Sequence, residues 1–289
     1  MAQTATTGSL QSAQNIVIAG VRYTAESAAP CQNLIERFML GKGEYQLTIP
    51  KVGQATFQDL TDGVDLVDEE DIGLAVTDLT TSEIGAKFIL TDKLIRQFNE
   101  DVFNVVGRQL GDARARFVDR SIIALFSSLN GGTSLGKDGA TLGIQQASAL
   151  AVRAAADLYP QPISMVHHPN AIGTLARDAA AIGATYYAGI LQGLSERLLR
   201  RFFRIQINGV NFFWDSNIDK ISGVDSAYGA IFSKSAMAMV ESHAPTVERE
   251  RDASLRAWEV VMTQDYGVYE IDDGYGAPAR YEIGNLVTS

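Results

Sequence analysis

Apolar positions along the chain change their period several times, and each change marks a part. Residues 1–43 begin small and polar, carry an apolar patch from Ile16 to Val21, and then show a weakly amphipathic stretch at Leu34, Ile35, Phe38 and Met39 that Gly41 and Gly43 close. This reads as an arm. From Glu44 to about Leu90 the helical period is lost. Alternation at Tyr45, Leu47 and Ile49 and the β-rich run Ala75 to Thr81 flank Gly53, Asp62-Gly63 and an acidic stretch from Asp65 to Asp71, the pattern of an extended two-stranded excursion. So few large apolar side chains cannot bury much surface, so the excursion is expected to lie on a neighbour.

The strongest periodic signal runs from Thr91 to about Leu129, with apolar residues at Leu94, Ile95, Phe98, Val102, Val105, Val106, Leu110, Ala113, Phe117, Ile122, Ala124 and Leu125, a helical spacing throughout. Thr91 can cap its start, Asp92 suits the positive end of the dipole, and Asn130-Gly131-Gly132 supplies a stop. Unbroken, such a helix is a strut of about 58 Å. Gly107 and Gly111 call for a kink or a close packing contact in its middle.

From about Gly139 onward helix and strand patterns alternate. Gln145 to Leu158 is alanine-rich and helical, Ile163 to His167 is a short buried strand, and Pro169 opens a helix running to about Ala180. Ile205 to Trp214 around Asn208-Gly209 reads as a hairpin and Gly229 to Phe232 as a further strand. This part is α/β. Ala236 to Val240, Trp258 to Met262, Gly267 to Ile271 and Arg280 to Ile283 are expected as closing strands that pair beneath the long helix.

Composition narrows the function. The 289 residues are 46% hydrophobic and 20% charged, and 34 acidic against 24 basic residues give a net charge of −10. That balance folds, and it disfavours dedicated binding of nucleic acid or anionic membranes. One cysteine, Cys31, excludes an intrachain disulfide, and three histidines fall short of a zinc site. The N-terminus carries no basic segment before an apolar core, and no run approaches the roughly 18 apolar residues of a membrane span, so a soluble, non-secreted protein is expected.

Several motifs invite chemistry and fail on inspection. Gly131 to Lys137 matches the first seven positions of a phosphate-binding loop, but Asp138 stands where a magnesium-holding hydroxyl is needed, and the segment follows a helix where a buried strand should precede it. His167 and His168 are adjacent, so on a strand they point to opposite faces, and His243 is distant. Asp65, Asp68, Glu69, Glu70 and Asp71 lack the spacing of a calcium loop and read as a solvated acidic turn. Arg197, Arg200, Arg201 and Arg204 form the basic cluster of the chain, an interface or solvated helix face. No catalytic, cofactor-binding or metal-binding residue is assigned.

The order of parts resembles the major capsid proteins of tailed bacteriophages, which share the Hong Kong 97 fold. Thr48-Ile49-Pro50-Lys51 with Phe57 to Gly63 looks like that family's extended loop (E-loop), and Leu90 to Ile95 like the entry to its spine helix. Val166 to Asn170 followed by Leu175 resembles the start of its A domain, and Ile207 to Phe212 its Gly-Val-Pro hairpin, with Asn211 where proline is usual. Glu248 to Asp252, Tyr266 to Val268 and Asp272 to Gly274 are similar to the closing strands of its P domain.

The resemblance implies an α+β fold with an N-terminal arm (1–43), an extended β-loop (44–90), a spine helix with the first part of the P domain (91–138), an α/β A domain (139–234) and P-domain closing strands (235–289). It implies a non-enzymatic shell protein without cofactor, forming hexamers and pentamers of an icosahedral head around double-stranded DNA, assembled in the host cytoplasm and residing in the virion. Its partners would be copies of itself, a separate scaffolding protein, portal and decoration proteins, and packaged DNA contacted non-specifically, with no membrane. Lys51, Phe57, Asp62, Arg197, Arg200, Arg201 and Arg204 are the residues expected to touch neighbouring subunits. No long charged N-terminal segment stands where some relatives carry a fused scaffold, and Lys51 lies in the loop from which some relatives crosslink a lysine. An encapsulin-type compartment shell and a cytosolic α/β enzyme are the alternatives. A neighbouring gene for a cargo enzyme favours the first, and nucleotide binding lost in Lys137→Ala the second.

Overall fold

In chain order the segments form β1 (Glu36–Met39), β2 (Gln46–Lys51), β3 (Ala75–Thr80), β4 (Ser82–Thr91), α1 (Asp92–Gln97), α2 (Val102–Leu125), β5 (Leu135–Gly136), α3 (Ile144–Ala156), β6 (Ile163–His167), α4 (Pro169–Ala181), β7 (Phe203–Ile207), β8 (Val210–Trp214), β9 (Ser226–Ser233), β10 (Met237–Asp252), β11 (Ala257–Glu270) and β12 (Gly276–Glu282). This is a computed structural model, and it describes residues 30–51, 75–97, 102–181 and 203–284. The class is mixed α+β, as expected.

The strands make three sheets. A six-stranded sheet, in the order β5-β12-β9-β6-β8-β7, is built around β6, all five of whose residues are buried. Its two faces are both covered. Met165, Val210, Phe212 and Ile231 pack against Leu150 and Ala154 of α3 and Ile172 and Leu175 of α4. On the other side Val166, Phe213, Ala230 and Phe232 meet Val118 and Ile122 of α2 and Phe126 just past its end, together with Cys31, Leu34 and Ile35. Burial on both sides explains why β6 shows no solvent-facing polar alternation: even its Ser164 and His167 are buried. The β7–β8 turn places Asn208 at φ 48° and Gly209 at φ 83°, the conformation that makes Asn-Gly the preferred two-residue hairpin turn.

A second sheet, β1-β10-β11-β4, carries α1 and α2 on one face through Leu90, Leu94, Leu110 and Val260. Its β10–β11 hairpin is much longer than the short strands expected at 236–240 and 258–262. Past Glu241, where β1 ends its parallel pairing, β10 is an edge among the described residues, with Pro245, two register shifts between Glu241 and Thr246, and the run Glu248-Arg249-Glu250-Arg251. Arg249 lies over the Phe103 ring and Arg251 over Trp258, while Arg251 also forks onto both oxygens of Asp92 at 2.8 and 2.9 Å. Those contacts put the arginines on the α2 face and the glutamates on the other.

The third sheet is the ladder β2–β3, Gln46 pairing with Thr80 and Lys51 with Ala75. The two-stranded excursion expected over 44–90 is therefore shorter, because residues 82–91 pair with β11 instead. The last strand also differs from expectation: β12 lies between β5 and β9 of the six-stranded sheet, away from the hairpin beneath α2. The strut ends at Leu125, four residues before the expected stop, and its buried stripe runs through Leu110, Val118, Ile122 and Phe126, leaving Phe117 55% exposed.

Gly107 and Gly111 sit inside α2, and a Cβ at either meets nothing within 4 Å, so neither marks a close contact with described residues. Gly107→Ala and Gly111→Ala are each expected to stabilise the free chain by about 1 kcal/mol, read as a rise in Tm of the unassembled protein. A fall in either variant would show that the space is taken.

Candidate functional site

For a chain that leaves surface uncovered, the candidate site is that surface. Tyr45 is 81% exposed, Val76 52%, and Phe88 40%, so apolar side chains stand out along the ladder and the strand that follows it. Beside them a groove of about 330 Å³ runs between α2 and the strands β4 and β11, lined by Ile84, Leu110, Phe117 and Met262 with Arg116 and Arg120 at its side. The groove thus has an apolar floor with arginines at one side.

The ladder is tied down along its length. Leu47 and Ile49 pack with Leu79, Leu40, Ala238 and Val240, and Lys51 donates to Asp272 at 2.6 Å. That lysine is about half exposed, so the pair positions the ladder more than it stabilises the fold. Phe57, Asp62, Arg197, Arg200 and Arg201 lie outside the described residues, and Arg204 falls in β7. Of the expected contact residues, the structure thus places Lys51 fully.

Two buried polar junctions that the sequence reading missed hold the arm, the strut and the sheets together. Glu241 accepts from Arg37 of β1 at 3.2 Å, from Arg114 of α2 at 3.3 Å and from Gln264 of β11 at 3.0 Å. Burial lowers the pKa of Arg114, and Glu241 pulls it back up. The second junction joins Cys31, Asp119 and Asp215, all fully buried or nearly so. A signal for it existed, since Asp119 stands four residues after Ala115 and three before Ile122, on the stripe that carries the core.

The groups that suggested chemistry serve structure. The Gly131 N–H donates to both oxygens of Asp273, at 3.0 and 2.9 Å, so the amide that would hold a phosphate already holds a carboxylate, and the strand β5 follows where a helix would be needed. The imidazole of His167 accepts from the His168 N–H at 2.9 Å, and burial pushes its pKa down to about 3. His168 accepts from the Asn170 N–H at 3.2 Å, capping α4. Burial and the two neighbouring carboxyls push the Cys31 thiol well up, away from a nucleophilic thiolate. Among the described residues no helix is long and apolar enough to cross a membrane.

A profile of the family described as phage capsid protein matches residues 75–277. The fold is similar to that of the capsid of Ralstonia phage GP4, with 11% identity, a TM-score of 0.69 and 92% of this chain matched to 94% of that one. It is similar as well to the capsid of the cyanophage P-SCSP1u (13% identity, TM-score 0.67, 91% of each chain) and to the capsid of a native GTA particle (12% identity, TM-score 0.68, 91% of this chain and 93% of that one). No curated protein matches the chain. At these identities the structures speak for the fold, and the profile for the family.

Proposed function

The chain belongs to the phage capsid protein family, a structural and non-enzymatic component of the bacteriophage virion, and from that premise we propose that it is the major capsid protein of a tailed phage with the Hong Kong 97-like fold. Copies join into hexamers and pentamers that tile an icosahedral head around double-stranded DNA, assembled in the host cytoplasm. The observation that carries this reading is the apolar surface a single copy leaves open on the β2–β3 ladder and along α2. Such a surface, matched to a different patch on the next copy, makes a heterologous contact, which closes into rings when the rotation allows.

In this reading residues 1–43 are the arm, 44–90 the extended loop, 91–138 and 235–289 the P domain and 139–234 the A domain. Lys51, Phe57 and Asp62 reach a neighbour across the loop, and Arg197, Arg200, Arg201 and Arg204 meet a neighbour's acids or packaged DNA. A chain with a net charge of −10 offers DNA a repelling surface overall, which fits enclosure without tight binding. A scaffolding protein, a portal and decoration proteins complete the partner set.

Electron microscopy of the expressed chain, alone and with a co-expressed scaffold, tests this: shells or capsomer rings are expected, and a monomer under every condition overturns it. Protease should cut residues 44–90 in free subunits and spare them in shells. Equal cleavage in both states would remove the loop from the contact.

A further inference from the structure

Where the chain enters the described fold, three buried groups from three places meet. The Cys31 N–H donates to Asp119 Oδ1 at 3.1 Å and its thiol to Asp215 Oδ2 at 3.4 Å. Asn217 donates its side-chain amide to Asp119 Oδ2 and its backbone N–H to Asp215 Oδ1, each at 2.8 Å. The Asp215 N–H donates in turn to the His167 carbonyl at 3.0 Å. Sulfur and carboxyl oxygens lie within 4.8 Å of one another, and Cys31, Asp119 and Asp215 are at most 1% exposed. Each of these donors is neutral.

Two carboxyls this close in a dry site cannot both carry charge without strong repulsion, so the pair keeps one proton. Asp119 sits in a 24-residue helix and Asp215 directly after a strand of the six-stranded sheet, so neither can withdraw without breaking its element. The lid over them is the three-residue turn Cys31–Asn33, held by the Cys31 bonds and by the Gln32 side chain donating to the Ala115 carbonyl at 3.3 Å. Cys31 shares one apolar cluster with Leu34 and Ile35 behind it, so lifting the turn draws Cys31 out of that packing while Leu34 and Ile35 stay.

We propose that Asp119 and Asp215 form a proton-operated latch on the root of the N-terminal segment: while the pair shares a proton the turn at residues 30–33 stays clamped beneath α2, and loss of that proton releases it. Burial first and Asp215 second push the Asp119 pKa up to about 9, against about 3.9 for a free aspartate. The folded chain thus holds the extra proton throughout that window. The clamp is strongest below the ordinary aspartate range, weakens steadily as pH rises from there, and is lost at about pH 9. The other groups facing the pair are the Cys31 thiol from the turn and His168 from the start of α4, whose pKa burial lowers while Asp215 opposes it. On α2, Arg120 is engaged with Asp219. The latch does not depend on what the chain assembles into.

Cys31 is the one cysteine of the chain, which makes it a reporter. The full chain is labelled with an aromatic disulfide reagent from pH 6 to 10.5, and each rate is divided by that of the urea-unfolded chain at the same pH, which removes the thiol's own titration. Protection of about 100-fold is expected at pH 7, falling about tenfold or more around pH 9, with the far-ultraviolet circular dichroism unchanged. Asp119→Asn cannot ionise, at the loss of one accepted hydrogen bond, and should keep its pH 7 protection at pH 10. Asp215→Asn, which leaves one carboxyl alone, should do the same and serves if the first variant does not fold. Wild-type protection that survives pH 10.5, a parallel loss in wild type and a folded variant, or a loss that coincides with global unfolding would each overturn the latch. Should neither variant fold, the wild-type profile decides alone.

Discussion

Glu241→Ala is expected to lower the unfolding free energy of the chain by about 3 kcal/mol, the largest effect of any single side-chain removal outside the apolar core. The carboxylate is 7% exposed and serves three partners from three elements. Its loss leaves the partly buried Arg114 guanidinium without its counter-charge and Gln264, 1% exposed, without an acceptor. The other side of the pair separates the causes. Arg37 is 48% exposed, so Arg37→Ala returns little and should cost under about 1 kcal/mol, while Glu241→Gln, which keeps an acceptor but no charge, should fall between. Denaturant titrations of the unassembled chain check the order. A Glu241→Ala chain as stable as the Arg37→Ala chain would mean that the junction carries no buried charge.

Gly229→Ala should be comparably damaging, by about 3 kcal/mol, for a steric reason. A Cβ at this position would overlap the Val166 carbonyl oxygen and the His167 imidazole. Neither can give way, because β6 is buried along its whole length and bonded on both sides, to β8 and β9. Gly274→Ala, whose nearest neighbour would be Asp272 Oδ1 at 3.4 Å, is the tolerated control. Soluble yield and denaturant midpoint, measured side by side, should separate the two variants clearly. Equal behaviour would refute the packing argument.

What the sequence made legible was whatever a local rule decides. Pro169 opens α4, Asn208-Gly209 turns β7 into β8, and the short segment at 163–167 is a strand covered on both faces, each fixed by residues within a few positions. Pairing between distant segments escaped. Nothing near Arg280 says that β12 joins β9 and β5, and periodicity alone shows no strand at 248–252, where only the resemblance pointed to one, because its arginines are held by ring stacking and an ion pair and leave no apolar alternation to read. Phe117 misled in the opposite direction. It fits the helical stripe by spacing, yet Val118 and Asp119 point inward beside it. The partners of the two junctions were hidden for the same reason: the core stripe marks Asp119 as facing inward, but Asp215 lies 96 positions away and meets it only once the helix packs on the sheet.

The margin of β10 that no described residue pairs bears on how such a molecule avoids sticking in the wrong way. A long bare strand ordinarily recruits its own twin and seeds fibres. If two copies joined margin to margin with their helices on one side, every such register would set glutamate or aspartate against glutamate, and arginine against arginine, along 248–252, which is repulsive. Pro245 withholds a donor and the register shifts bend the strand just above. Growth as a ribbon through that margin is thereby disfavoured, which leaves the contacts proposed for a shell uncontested.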